Sequence, residues 1–515
     1  MTWRRSALAL VLLLGSTAPA RAADGIDVAN LLSARVGNRP GPQYPGDRQD
    51  FYDELDLAAA FRQARVGVRF ETDRSSDPND PHYSQITQRW VEWSDPHGRL
   101  RIGNFYALLG RGLLHRSFEL PGVILDPNGI RSRFAFARDM DGVQGEITAG
   151  PVHAQAFSGT GNPGENSPAA EAFGLPRYIG QFSGAEVSVA PTPAARAGAA
   201  YARTNAGLAS TDESGSGFVE VDPLGLGGVH SVSLPLYFEY AQSNGGFGDW
   251  WKFRHGTGTP HALYASTGLL WGRLGASVEW KDYTDFRKGT NDPPSLVREQ
   301  TWTILNRDTH VLNAGRESGT QAEVTYGIAP GCVATANVST ADGVALNHYR
   351  ERFFELRFDP ADARTWSAGA YLDGTEDRAT ALAAGHAAGA LAEVRLRDRW
   401  SVHADVEGLH AQETRGALPP LPYEDLYATL GVGLADRGTV AVAWDRTSNP
   451  LVRSVWSGGG AFLHLWSGTV TAHLAPEHDA TLTVGRFRGG RACTAGVCYD
   501  LPAFDGAELR LVSRF

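Results

Sequence analysis

The stretch "DGAELRLVSRF" (505–515) puts Leu509, Leu511 and Phe515 on one face and Glu508 and Arg510 on the other, with Ser513 interrupting the apolar side. Successive side chains of a strand point to opposite faces, so this is a strand with one apolar and one polar face. It ends on an aromatic ring with no tail, whereas the last residues of most domains fray into solvent. The expectation is the closing strand of a barrel, paired with the first strand so that neither sheet edge is left open. Phe515 at its end is read as the mark by which the barrel-assembly machinery of a bacterial outer membrane receives its clients.

The same alternation runs through the chain. Val66, Val68 and Phe70 oppose Arg65, Arg69 and Glu71; Leu100, Ile102 and Tyr106 oppose Arg99, Arg101 and Gly103. Leu236, Phe238 and Tyr240 oppose Tyr237 and Glu239; Leu274, Ala276, Val278 and Trp280 oppose Ser277, Glu279 and Lys281. Phe354, Leu356 and Phe358 oppose Glu355 and Arg357; Ala392, Val394 and Leu396 oppose Glu393, Arg395 and Arg397. Val402, Ala404 and Val406 oppose His403, Asp405 and Glu407. In a soluble sandwich the apolar face would fill a core; in an outer-membrane barrel it meets lipid and the polar face lines the lumen. Charges of both signs on the polar faces favour the lumen. So do Trp90, Trp93, Trp280, Trp400 and Trp466 near strand ends, where an interfacial girdle belongs. Short connections at 95–98, 192–195, 271–272 and 398–399 alternate with long ones at 158–177, 204–230, 287–320 and 411–422, as inner turns and outer loops do. The expectation is an all-β chain: one transmembrane antiparallel β-barrel of about 20–24 strands, even in number.

The other end carries Arg4 and Arg5, an apolar run from Ala7 to Leu14 and the small-residue site Ala20-Arg21-Ala22. This is the layout of a cleaved signal peptide, 1–22, leaving 23–515 as the barrel; the run is shorter than the ~20 residues a membrane helix needs. The net charge of −10 argues against nucleic acid as a partner. Three lysines stand against 44 arginines among the 47 basic residues, a skew more in keeping with a GC-rich genome than with a function. Cys493 and Cys498 in "RACTAGVCYD" read as a disulfide closing a tight loop of an exported protein. Cys332 reads as a free thiol in a strand.

Three segments resemble, in this order, a family of uncharacterised outer-membrane β-barrel proteins, domain of unknown function 6029. They are "RIGNFYALLGRGLLHRSFE" (101–119), "KDYTDFRKGTNDPPSLVREQTWTILNRDTHVLN" (281–313) and "GRFRGGRACTAGVCYDLPAFDGAELRLVSRF" (485–515). The likeness would span the mature chain and implies a barrel without naming an activity. "DPNGIRSRF" (126–134) departs from it where a more aliphatic continuation is expected.

"LLGRGLLHRSFEL" breaks the alternation. Gly110 and Gly112 permit a sharp bend, and Arg111, His115, Arg116 and Glu119 follow, which makes these four a candidate constriction folded into the lumen. The alternative is a bulged strand running into an ordinary loop. Arg65, Arg69, Arg99, Arg101, Glu355, Arg357, Glu393, Arg395, His403, Asp405, Glu407, Glu508 and Arg510 are candidate lumen-lining residues. His403, Asp405 and Glu407 share one strand face, a spacing compatible with acid–base work, yet as charges balancing Arg395 and Arg397 they need no catalytic role. Arg307, Asp308 and His310 in "TILNRDTH" (303–310) offer ligand or metal groups, or simply local contacts of a polar loop. No G-x-S-x-G elbow, phosphate loop, EF-hand or His-x-x-x-His helix is present, and no plug domain is visible. The expected function is a porin-like passive channel for small polar solutes in the outer-membrane lipid, with no enzyme activity, no cofactor and no metal. The first alternative is an accessory barrel with a filled lumen that supports partner surface proteins. The second is an outer-membrane enzyme, which no motif supports.

Overall fold

The computed structural model describes residues 25–40, 47–77, 82–125, 132–161, 179–205, 211–229, 231–243, 259–286, 291–307, 309–310, 316–343, 348–360, 366–378, 382–396, 399–415, 418–435, 437–456, 460–494, 497–501 and 503–515. The segment 1–22, expected to be a signal peptide, lies outside them. No helix among the described residues is long and apolar enough to cross a membrane; the crossing is made by strands.

The wall is one antiparallel sheet that closes on itself. The first strand, Ile26–Asn38, pairs on one side with Asp47–Phe61 and on the other with Phe504–Arg514, in register from Ala29↔Arg514 to Asn38↔Asp505. The sheet has 25 strand segments. Two of them, Val232–Ser233 and Leu236–Ser243, pair end to end with the same neighbour, His261–Trp271, and make one interrupted strand. The wall therefore has 25 − 1 = 24 strands, at the upper end of the range expected and even. The terminal residue stays in the ladder: the Phe515 N–H donates to the Val28 carbonyl at 2.8 Å and the Val28 N–H to the Phe515 carbonyl at 3.0 Å. No backbone edge is left at the seam, which a strand in lipid requires.

The apolar faces point outward. Ile147 (62% exposed), Leu270 (64%), Leu372 (62%) and Leu430 (57%) belong to a belt left exposed among the described residues, which in water would be an untenable apolar surface. Trp93, Trp271, Trp366 and Trp400 lie on the outside at the short-turn end, and Trp466 towards the other. Trp90 is corrected: it shares the inward face of Gln88 and Glu92, opposite the outward Val91 and Trp93, and the Arg101 guanidinium lies 4.1 Å from its ring in the bore. Tyr106 also leaves the lipid face assigned to it. The wall strand Gly98–Phe105 stops one residue earlier, and the Tyr106 hydroxyl donates to Glu119 inside the barrel at 2.7 Å.

Two of the expected outer loops are not loops. The segment 204–230 contains the wall strand Thr211–Val221, followed by a short helix, Pro223–Leu226, on the turn side, capped by the Asp222 carboxylate. The segment 411–422 is mostly strand, since Trp400–Arg415 and Leu418–Leu434 are joined by two residues. Its prolines disguise the ladder because they sit where the wall rises past its neighbours. Cys332 opens the strand Cys332–Gly343 as a free thiol.

Candidate functional site: a bore crossed by folded-in segments

The inner face is charged, as the alternation requires. Arg69 is held by Asp56 (2.7 Å), Glu54 (3.4 Å) and Glu119 (2.7 Å). Arg99 pairs with Glu146, Arg101 with Glu92 at 3.3 Å, and Arg65 with Asp27 at 3.6 Å. Arg395 lies 3.8 Å from Glu393, Arg357 lies 3.6 Å from Glu355, and Glu508 takes both Arg35 and Arg510 at 2.8 Å. His403 sits across the ladder from Glu393.

Two connections do not leave the barrel but fold into it, although no plug was legible in the sequence. The first follows the strand Gly98–Phe105. Leu109, Leu113 and Leu114 are fully buried against inward aromatic rings of the wall, among them Phe157, Phe218 and Tyr264. Gly110 and Gly112 have φ of +56° and +89°, a region that side chains disfavour. A Cβ on Gly110 would lie 2.3 Å from the Glu239 carboxylate, and one on Gly112 would lie 2.7 Å from the Asp292 carbonyl. The bend lets two backbone N–H groups meet acidic wall residues: Gly110 donates to Glu186 at 2.9 Å and Arg111 to Glu239 at 2.8 Å.

Of the four candidate constriction residues, Arg111 faces the open bore, half exposed, over the Tyr237 ring and 3.9 Å from Glu220. Arg116 and Glu119 are structural ties, to Asp292 (2.6 Å) and Arg69. His115 is buried against Phe157, with ring centroids 4.7 Å apart. Burial, with the nearby Arg138 charge, pushes its pKa down to about 3, so it is neutral and serves packing.

The second segment, 291–310, lies inside the wall and reaches Asp445, eight strands beyond the one it leaves. Wall carboxylates anchor it throughout. Arg298 pairs with Glu323 (2.8 Å), Gln300 donates to Glu351 (3.0 Å), and the Trp302 indole donates to Glu355 (3.0 Å). Glu407 accepts the backbone N–H groups of Thr303 (2.8 Å) and Ile304 (3.0 Å) at the start of the short helix Thr303–Arg307, and also the Tyr371 hydroxyl (3.0 Å). Arg307 reaches Asp445 at 2.9 Å. His310 bridges Asp377 (2.9 Å) and Glu317 (3.2 Å) and stacks on Tyr349. Glu317 also pairs with Lys281, fully buried in the wall. The charged groups Arg307 and His310 of "TILNRDTH" are thus tied to distant strands, while the Thr309 hydroxyl donates locally to the Leu305 carbonyl at 3.3 Å; Asp308 lies outside the described residues. Glu407 is spent on backbone donors, which places it outside any acid–base pair with His403.

The two segments meet: the Asn291 amide donates to the Leu113 carbonyl at 3.2 Å, and the Asp292 N–H to the Gly112 carbonyl. A third inner piece, the hairpin Gly490–Thr494 and Val497–Leu501, lies against both the helix Thr303–Arg307 and the strand Phe118–Leu125. Beside the second segment a cavity of about 530 Å³ remains. It lies between Thr301–Arg307 and the wall strands Gly438–Thr447, Leu463–Ala475, His478–Phe487, Phe504–Arg514 and Ile26–Asn38. Sequence reasoning found Glu508 and Arg510 there, and singled out Arg307 as a possible ligand group of its loop, but missed Arg35, Arg486 and Arg488; the set comes together only when the barrel closes.

A closed antiparallel wall with an apolar outer belt and a charged bore defines a transmembrane β-barrel of bacterial outer-membrane type. Among solved structures the chain is similar to the P pilus usher translocation pore PapC, at 8% identity over 95% of this chain and 99% of that one, with a TM-score of 0.47. It is also similar to OpdQ of Pseudomonas aeruginosa, at 12% identity over 72% and 95% with a TM-score of 0.41. The siderophore receptor PirA of the same organism matches at 8% identity over 96% and 81%, with a TM-score of 0.44. Likenesses this distant transfer no activity. No family model matches the chain, and no curated protein does.

Proposed function

We propose that the protein is a passive channel for small polar solutes, its wide bore narrowed by its own connections. The observation that carries this is the space of about 530 Å³ left beside them, lined by charged and hydroxyl-bearing side chains as well as by Leu465, Phe487 and Phe504. Barrels of 16–18 strands already enclose an aqueous channel, so a 24-strand wall needs internal narrowing to discriminate among small solutes. The proposal includes export through the segment 1–22, hand-over to the assembly machinery by the strand ending at Phe515, kinship with domain of unknown function 6029, and no enzymatic role.

The test is single-channel conductance of the refolded protein in a planar bilayer, alongside Arg111→Ala. Steady openings are expected, with the substitution changing conductance by less than about twofold, because one half-exposed charge tunes a pore without defining it. Silence from a sample shown to be folded would abandon the channel. It would favour the second reading, a filled accessory barrel, for which the mutual contact of the three inner pieces speaks.

The disulfide belongs to the same reading. The backbone ladder sets Cys493 directly opposite Cys498, a separation a disulfide can span; their side chains lie outside the described residues. Thiol labelling of the native, unreduced protein is expected to modify Cys332 alone. Equal labelling of all three cysteines would rule the bridge out.

A further inference from the structure

The cavity beside the second segment is lined by five guanidinium groups, of Arg35, Arg307, Arg486, Arg488 and Arg510, and by only two carboxylates, of Asp445 and Glu508. The lining therefore carries an excess of 5 − 2 = 3 positive charges in a chain whose net charge is −10. Two further carboxylates, Asp425 and Asp505, hold Arg488 (2.6 Å) and Arg486 (3.4 Å) from outside the lining. Glu508 is shared between two arginines and Asp445 between Arg307 and Arg488, so the five guanidiniums face four carboxylates and the cluster as a whole keeps one net positive charge.

Three of the guanidiniums are fixed on aromatic faces. Arg35 lies over Phe504 (5.0 Å), Arg307 over Tyr427 (5.4 Å) and Arg486 over Trp456 (4.5 Å). Stacking leaves the donors at the guanidinium edges. Arg307 Nη1 is a buried nitrogen with no hydrogen-bond acceptor, and Arg486 Nε has an ion-pair contact of 3.4 Å to Asp505 without hydrogen-bond geometry; a buried donor without a partner is destabilising. The rest of the lining includes Leu465, Phe487 and Phe504 and the hydroxyls of Ser467, Thr469 and Thr483. The volume is within the range of small-molecule sites.

We propose that this cavity is a binding site for a small organic carboxylate with an apolar body, taken up by Arg486, Arg510 and Arg307. The planar fork of arginine matches a carboxylate through two parallel hydrogen bonds, and the apolar wall accommodates the remainder of such a molecule. The proposal deepens the channel reading and rests on it for its biological sense: the site would be the step at which the pore selects its solute.

Two measurements separate the failure of the site from the failure of the channel. The first is calorimetric titration of the folded, detergent-solubilised full-length barrel with benzoate, and with benzamide as the neutral isostere. Saturable binding of benzoate alone is expected, weakened roughly tenfold or more in Arg486→Gln/Arg510→Gln, as the loss of charge-assisted hydrogen bonds implies. Absence of saturable binding, equal binding of benzamide, or an unchanged double variant would each overturn the site. Retained heat-modifiable migration in gels shows that the variant is folded; should it fail, Arg486→Lys takes its place, keeping the charge and losing the fork.

The second is current through single channels. Anion preference and reversible block by benzoate, both reduced in the double variant, support the site as the selective step. Cation preference, or openings indifferent to benzoate, would overturn that role even where the channel stands. Silence together with benzoate binding removes the channel and keeps the cavity as a carboxylate site of a closed barrel.

Discussion

Excising residues 291–310 and bridging the gap with a flexible glycine–serine linker is expected to raise single-channel conductance several-fold, roughly in proportion to the bore area released. The segment is held inside the wall by contacts to Glu323, Glu351, Glu355, Glu407 and Asp445. Its removal returns those five carboxylates to water; the excised residues themselves nearly balance, with Asp292, Glu299 and Asp308 against Arg298, Arg307 and His310, so the size of the conductance rather than ion preference is the readout. The wall is expected to survive, because its ladder closes without this segment: Leu274–Thr284 pairs directly with Arg316–Ala329. Gel migration before and after heating checks this.

A milder version is Glu407→Gln, which keeps the shape and loses the charge that receives two backbone donors. Hydrogen bonds to a charged group contribute about 1.5–3 kcal/mol each, so partial undocking and noisy openings are expected rather than a fixed larger conductance. Unchanged conductance in the excised protein would show that current does not pass this level of the bore.

The alternating faces, the near-terminal tryptophans and the closing strand were all legible in the sequence, because each depends only on residue order along one strand. Lys281 and Glu279 fell on the polar face of their strand simply by counting in twos. The interior was another matter. Glu407 looks the same in sequence whether it meets water, an arginine or the N–H groups of Thr303, since its partner comes from more than a hundred residues away. The bend at Gly110 and Gly112 was visible as a break in alternation, but its depth depends on Glu239 and Asp292, which no local pattern links to it. Trp90 and Tyr106 were misplaced for a simpler reason. Trp90 and Trp93 stand an odd number of residues apart, which puts the two rings on opposite faces of one strand, and a strand ending one residue early takes Tyr106 out of the alternation. The arginine cavity is the extreme case, because it draws on both ends of the chain and exists only after the first and last strands join.

Raising the pH through about 9 is expected to loosen the second segment without unfolding the wall. His310, at the end of that segment, is 5% exposed, between Asp377 and Glu317. Burial opposes its charge, but hydrogen bonds and attraction from those two carboxylates prevail and push its pKa up to about 9 from an ordinary 6.5. A folded-state pKa above the unfolded one means stability that is complete below about pH 6.5 and is lost as the pH climbs through about 9. At about 1.4 kcal/mol per unit the tie contributes on the order of 3 kcal/mol at neutral pH. The other groups around it are Tyr349, stacked on the ring, with Glu351 behind it, and Lys281 on the far side of Glu317. Loss of the His310 proton leaves two carboxylates facing one another with Lys281 as the remaining cation of this cluster. Openings recorded at pH 6.5 should therefore be quiet and those at pH 9.5 should flicker to larger conductances. His310→Gln should flicker at both and lose the pH step. Glu317→Gln should be more severe, because it strips the buried Lys281 of its carboxylate, and unpairing a buried charge costs about 3–5 kcal/mol. A pH step of equal size in His310→Gln would assign the titration to another group and remove His310 as the tie.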